Sequence, residues 1–145
     1  MESPTTRTTQ EEQDHEASPC IPSAYMNRGT ARSARGDQDG AIADTTKALE
    51  HNPRDAETYY YRGFARVRKG DEDGAIADFT KVLARNPRDA DAYYNRGLAR
   101  GNKGDRDEAI KDLQKAADLY QQQGETSIYQ KVLNTIKQLQ GIVSG

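Results

Sequence analysis

The sequence predicts an all-α fold: an α-solenoid of three helix-turn-helix repeats with a C-terminal capping helix, about seven helices in all. Three observations carry this. Laid against itself at a shift of 34, the chain divides into residues 22–55, 56–89 and 90–123; the first two blocks agree at 20 of 34 places and the second and third at 15 of 34, where composition alone would give about two. Each block carries the same break near its middle, and the first two also share one at their ends. The apolar content, 34 %, lies below the ~45–50 % usual for globular domains, which suits a stack with a thin core better than a compact globule.

Residues 1–21 are rich in Thr, Ser, Glu, Gln and Pro and carry almost no large apolar side chains, so they are expected to form a disordered tail. Five acidic residues against Arg7 make that segment negative and leave residues 22–145 at about +2, within a total of −2. The eight tyrosines and the small net charge argue that most of the chain folds.

Each block then reads as a helical hairpin. Asn52-Pro53-Arg54-Asp55 and Asn86-Pro87-Arg88-Asp89 supply a turn, a fixed φ and an N-cap, so that helices begin at Ala56 and Ala90. The mid-block breaks fall at Gly36-Asp37, Gly70-Asp71 and Gly104-Asp105, where glycine can take positive φ and aspartate can cap the next helix. In the second helix of the middle block Ala75, Ile76, Phe79, Val82 and Leu83 share one face, the expected buried one. In the first helices a tyrosine, a glycine and an alanine recur as Tyr25, Gly29, Ala31, then Tyr59, Gly63, Ala65, then Tyr93, Gly97, Ala99. A helix-interior glycine costs ~1 kcal/mol against alanine, so close approach of the paired helix is expected there.

After the third block Gln121-Gln122-Gln123-Gly124 leads to Thr126 or Ser127 as a cap and a helix to Gln140. Its stripe of Ile128, Tyr129, Val132, Leu133, Ile136 and Leu139 is that of a helix closing the end of a solenoid. The expected organisation is therefore a tail over 1–21, a repeat domain over 22–140 with its capping helix at 126–140, and a flexible C-terminus over 141–145.

A unit of 34 residues with a large aromatic, a glycine four places later, an alanine opening the second helix and a proline at the end resembles the tetratricopeptide repeat. The matching places are Tyr25, Gly29, Ala41 and Pro53; Tyr59, Gly63, Ala75, Phe79 and Pro87; and Tyr93, Gly97 and Ala109. The chain departs from the family at Arg32, Arg66 and Arg100, and at Gln38, Glu72 and Arg106, where the family often carries aromatics. These departures predict modest stability, with arginine stems covering apolar surface and their heads meeting Asp71, Asp73 or Asp78 and the equivalents.

The resemblance implies a non-enzymatic module for protein-protein interaction, an adaptor or scaffold receiving a peptide or protein segment in a concave groove; the alternative is a structural protein that self-assembles through repeat-repeat contacts. Carried over place by place, the groove comprises Met26, Asn27, Thr30, Tyr60, Tyr61, Phe64, Val67, Arg68, Tyr94, Asn95, Leu98 and Asn102. Within it Tyr60, Phe64, Tyr94 and Leu98 would form an apolar platform, while Asn27 and Asn95 would grip a ligand's backbone amides and Tyr61 interrupts that ladder. Some family members clamp a chaperone's C-terminal carboxylate with Lys and Arg; here those places hold Met26, Thr30, Tyr61, Asp91 and Asn95, which disfavours that ligand.

Other chemistry finds little support. His15 and His51 are the only histidines and Cys20 the only cysteine, so neither a metal cluster nor a Ser-His-Asp arrangement is readily assembled. No catalytic residue, cofactor or metal is expected. Asp71-Glu72-Asp73-Gly74 lacks the later ligands of a calcium loop, and Gly97, Gly101 and Gly104 lack the spacing of a phosphate loop. Without a basic stripe nucleic-acid binding lacks its main driving term. No window holds the ~18–20 apolar residues of a membrane span, and the acidic start has no signal-like apolar stretch. A soluble, cytoplasmic protein that binds another protein and is a monomer in preference to a homo-oligomer is the resulting expectation.

Overall fold

The structure, a computed structural model, describes residues 36–141. Six helices follow one another: α1 (Gln38–His51), α2 (Ala56–Lys69), α3 (Glu72–Arg85), α4 (Ala90–Lys103), α5 (Arg106–Gln122) and α6 (Thr126–Leu139). Each packs against the helix before and after it, and α2 also touches α4, the pattern of stacked hairpins. The helix expected within residues 22–35 lies outside the described residues.

Turn chemistry sets the helix ends. Asp55 and Asp89 accept hydrogen bonds from the amides of Glu57 (3.1 Å) and Ala92 (3.0 Å), satisfying first-turn donors that have no intrahelical partner. Gly70 and Gly104 stand at φ 93° and 97°, which turns the chain so that the amides of Asp71 and Asp105 reach back to the carbonyls of Arg66 and Arg100 at 2.8 Å.

Two capping expectations are corrected. Asp37 and Asp71 cap α1 and α3 through the amides of Gly40 and Gly74, but Asp105 makes no side-chain cap. A Cβ on Gly74 would lie 2.3 Å from the Asp71 carboxylate, and the equivalent place in α5 is Glu108, which has that Cβ. At α6 the cap residue is Glu125, without a side-chain bond, and not Thr126 or Ser127. Gly124 (φ 77°) closes α5 and directs the Glu125 amide back to the Tyr120 carbonyl at 2.9 Å, so the turn fixes where α6 can begin.

The core is built from small residues and a few large ones. Ala75, Phe79 and Ala99 form one cluster, Val82, Leu83 and Ala92 a second, and α4, α5 and α6 share a third around Leu113, Leu119, Tyr120 and Val132. The α6 stripe packs here as its pattern predicts, Val132 and Ile136 being buried and the other four partly so. Glycine permits the close spacing: a Cβ on Gly63 would lie 3.0 Å from the Phe79 ring, and one on Gly97 2.9 Å from Leu113 and 3.2 Å from the Ala109 carbonyl.

Charge completes what apolar area leaves thin. Asp78 of α3, 2 % exposed, accepts two bonds from Arg62 (2.9 and 3.0 Å) and one from Arg66 (3.0 Å), both on α2. Arg62 also donates to the Thr46 hydroxyl of α1 at 3.1 Å, tying two hairpins together. The arrangement recurs 34 residues on: Arg96 and Arg100 hold Asp112 at 2.8 to 2.9 Å, and Arg96 reaches Thr80 at 3.1 Å. Hydrogen bonding to Asp112 raises the pKa of the Arg96 guanidinium above its ordinary value. Arg66 and Arg100, standing where related repeats carry aromatics, are therefore clasps; Arg66 also lies 3.7 Å from Asp71, whereas Asp73 pairs with Lys103.

Two predictions follow from this packing. Asp78→Ala leaves Arg62 without its carboxylate and Arg66 with only the more distant Asp71, and should lower unfolding free energy in urea by about 3 kcal/mol, whereas Asp39→Ala, at an exposed pair with Lys69, should leave it nearly unchanged; equal losses would show that the clasp does not stabilise the fold. In α4, Gly97→Ala should lower the melting temperature, whereas Gly101→Ala, whose Cβ would meet Leu139 at an ordinary 3.6 Å, should raise it through a helix-propensity gain of up to ~1 kcal/mol.

Candidate functional site

Helices α2 and α4 start at equivalent places, so their first turns lie side by side and carry the same kinds of residue. Between them opens a cleft of about 260 Å³. Ala56, Glu57, Tyr60 and Tyr61 of α2 form one wall and Asp89 and Asp91 the other, with Val82 and Asn86, at the end of α3, closing it.

The aromatic side of the cleft is fixed by packing. The Tyr60 ring meets Tyr61 edge-on at 5.8 Å between centroids and Phe79 at 5.7 Å, which anchors it to the core while its hydroxyl stays at the cleft. That hydroxyl accepts a hydrogen bond from Asn95 Nδ2 at 3.0 Å, and the same nitrogen donates to the Asp91 carbonyl at 2.8 Å. Asp91 in turn accepts from the Tyr120 hydroxyl of α5, whose ring packs edge-on against Tyr94 at 6.5 Å.

Of the twelve groove residues expected from sequence, Met26, Asn27 and Thr30 lie outside the described residues. Tyr60 and Tyr61 line the cleft. Phe64, one turn further along α2, is the one large hydrophobic exposed among the described residues, at 40 %, and the Arg68 guanidinium lies 5.7 Å from its ring centre. Tyr94, Asn95 and Leu98 are half-buried and Asn102 is exposed on α4. Val67 instead packs against the Phe79 cluster. The Asn95 amide nitrogen, assigned by sequence to a ligand's backbone, is held by the protein itself, and its carbonyl oxygen remains the open group.

Sequence reasoning named Asp91 only as an acidic residue at a place where some family members carry a base, and missed Glu57. Glu57 and Asp91 occupy the same place in successive units, 34 residues apart, a periodicity that could have marked them; Asp89 was visible only as a cap. Their charge is felt inside the cleft: burial first, then Asp91 and Asp89, push the Tyr60 hydroxyl up to about 12. Burial and the bond to Asp91 likewise raise that of Tyr120. Both phenols are thereby kept protonated, so the site offers aromatic surface, hydrogen bonds and negative charge but no activated nucleophile.

The stacked helical hairpins define a repeat protein of the solenoid class. A profile described as Tetratricopeptide repeat matches residues 26–81 and 65–124, and the chain belongs to that family. No curated protein matches it. Among solved structures, the first TPR of Spaghetti (RPAP3) bound to the HSP90 peptide SRMEEVD is 25 % identical, with a TM-score of 0.70 over 80 % of this chain and 93 % of that one. The Arabidopsis OM64 TPR domain superposes at 0.75 with 24 % identity over 90 % and 99 % of the two chains. The Yersinia enterocolitica type III secretion translocator chaperone SycD reaches 0.78 at 15 % identity over 85 % of each. The last two show likeness of fold alone. Among the described residues no helix is long and apolar enough to cross a membrane.

Burial, with the field of Asp91 and Asp89, gives the Tyr60 hydroxyl a pH-dependent share in stability. Its folded pKa of about 12 lies above the ordinary 10.0, so folding favours the protonated phenol; this contribution is intact below the ordinary value and is lost as pH rises between the two. Tyrosine-ring NMR across alkaline pH should show Tyr60 ionising late, and Asp91→Asn should move that midpoint down without abolishing the shift, since burial is its larger cause. An unmoved midpoint would exclude the Asp91 carboxylate as a source of the field.

Proposed function

We propose that the chain is a non-enzymatic adaptor or scaffold module that holds a peptide or protein segment along the face bearing Tyr60, Tyr61, Phe64, Tyr94, Asn95 and Leu98, with Met26, Asn27, Thr30, Val67, Arg68 and Asn102 at corresponding places. The observation that carries this reading is the exposed Phe64 next to an aromatic cleft, on helices whose other large apolar residues are at least partly buried. A large solvated aromatic beside a preformed concavity is the composition of a binding hot spot. Support comes from Spaghetti's first TPR, a relative of the same fold solved with a bound peptide. The active form in this proposal is a monomer in the cytoplasm, its repeat domain spanning residues 22–140.

The groove residues differ in how much structure they carry, which makes the reading testable. Phe64→Ser and Asn95→Ala should leave circular dichroism and melting temperature close to those of the parent and reduce retention of a cellular partner on the immobilised protein several-fold. Tyr60→Ala removes packing on Phe79 and should lower both. Undiminished retention by all three variants would refute this face as the binding surface.

A further inference from the structure

Resting on that groove reading, we propose that the cleft between the first turns of α2 and α4 selects a cationic side chain, so that the ligand of this chain is a basic peptide segment carrying Arg or Lys at that subsite.

The distribution of charge pairs sets this cleft apart. Many helix carboxylates meet cations: Asp78 has Arg62 and Arg66, Asp112 has Arg96 and Arg100, Asp39 has Lys69, Asp73 has Lys103, and Glu108 has Lys111, while the exposed Glu50, Asp107 and Asp118 stand apart from the cleft. Glu57, Asp89 and Asp91 form no ion pair among the described residues, all three border the same cleft, and no basic residue among the described residues lines it. Three like charges around one concavity leave a field that no ion pair among the described residues neutralises.

The carboxylates are also held in place. One Asp91 oxygen accepts from the Tyr120 hydroxyl and one Asp89 oxygen from the Ala92 amide, which fixes both groups and leaves a second oxygen on each. Pre-oriented acceptors lose little entropy when a cation arrives. The rings of Tyr60 and Tyr61 supply aromatic surface to which a guanidinium or ammonium is attracted, and burial of Tyr60 lowers the local polarity that would otherwise screen the charge. Phe64, one turn along α2, offers a place for an apolar neighbour of the cationic residue. A peptide presenting carboxylates here would bring like charges together without a counter-cation, which disfavours it.

The test uses the full chain and three acetylated, amidated, fluorescently labelled peptides of otherwise identical leucine-containing sequence, with Arg, Gln or Glu at the central position. Affinity is read by fluorescence anisotropy and location by NMR shift mapping. The Arg peptide should bind most tightly and the Glu peptide at least about tenfold more weakly, the difference shrinking as salt rises. In a Glu57→Gln/Asp91→Asn double variant, which keeps side-chain shape and an acceptor for Tyr120, the three affinities should converge; the comparison on the unaltered chain stands whether or not that variant folds. Equal affinities, or preference for Glu, with shifts still centred on Tyr60, Tyr61 and Phe64 would overturn the cation selection and leave the groove reading standing. Shifts elsewhere, or none with any peptide at millimolar concentration, would overturn both.

Discussion

Two arginines one turn apart closing on a buried aspartate of the next helix are the interaction on which the rest of this fold depends. The clasp appears in α2–α3 and again in α4–α5 with nearly the same distances. Its first arginine also reaches a threonine one hairpin back, so each clasp ties three helices. A buried carboxylate is tolerated only when its lone pairs are met, and here two guanidinium groups meet them in a fixed planar geometry. Removing one member exposes the cost that the assembled group conceals.

The clasp answers a shortage of apolar area. Alanine fills many of the contacts between helices, and Gly63 and Gly97 bring the paired backbones so close that a methyl group would collide with Phe79 or Leu113. Small residues give close packing but little transfer free energy per residue. A directional ionic contact adds specificity of register: sliding a helix by one residue would carry Asp78 away from both arginines. Asp44 is likewise buried, and Arg28 and Arg32 stand 34 residues ahead of Arg62 and Arg66 in the sequence.

The buried Asp78 and Asp112 are held in ion pairs, whereas, among the described residues, the groups around one cleft are not. Phe64 is 40 % exposed, and Glu57, Asp89 and Asp91 surround a cleft with no cation on its walls among the described residues. The same tyrosine that anchors this cleft to the core carries its hydroxyl to the opening, so in the proposed reading stability and recognition share a residue at Tyr60 but separate at Phe64. The relative solved with SRMEEVD holds a peptide ending in acidic and apolar residues, whereas the partner proposed for this chain's cleft has the opposite charge.

The sequence by itself determined the repeat, the helical hairpins and the close-approach glycines, because these follow from local rules: periodicity, proline, positive-φ glycine and aspartate caps act within a few residues. It also marked Arg66 and Arg100 as departures and named Asp78 among their possible partners. Only the tertiary structure decided which carboxylate each arginine takes, since Asp71, Asp73 and Asp78 are all within a helical turn or two of one another and differ chiefly in whether they face α2 or solvent. It likewise moved the cap of α6 to Glu125, turned the Asn95 amide inward to Tyr60, and gathered Glu57, Asp89 and Asp91 from two helices and a turn into one cleft. The arginine pairing joins residues 12 to 16 apart and the cleft joins residues up to about 35 apart, across packed helices, which a local pattern does not encode.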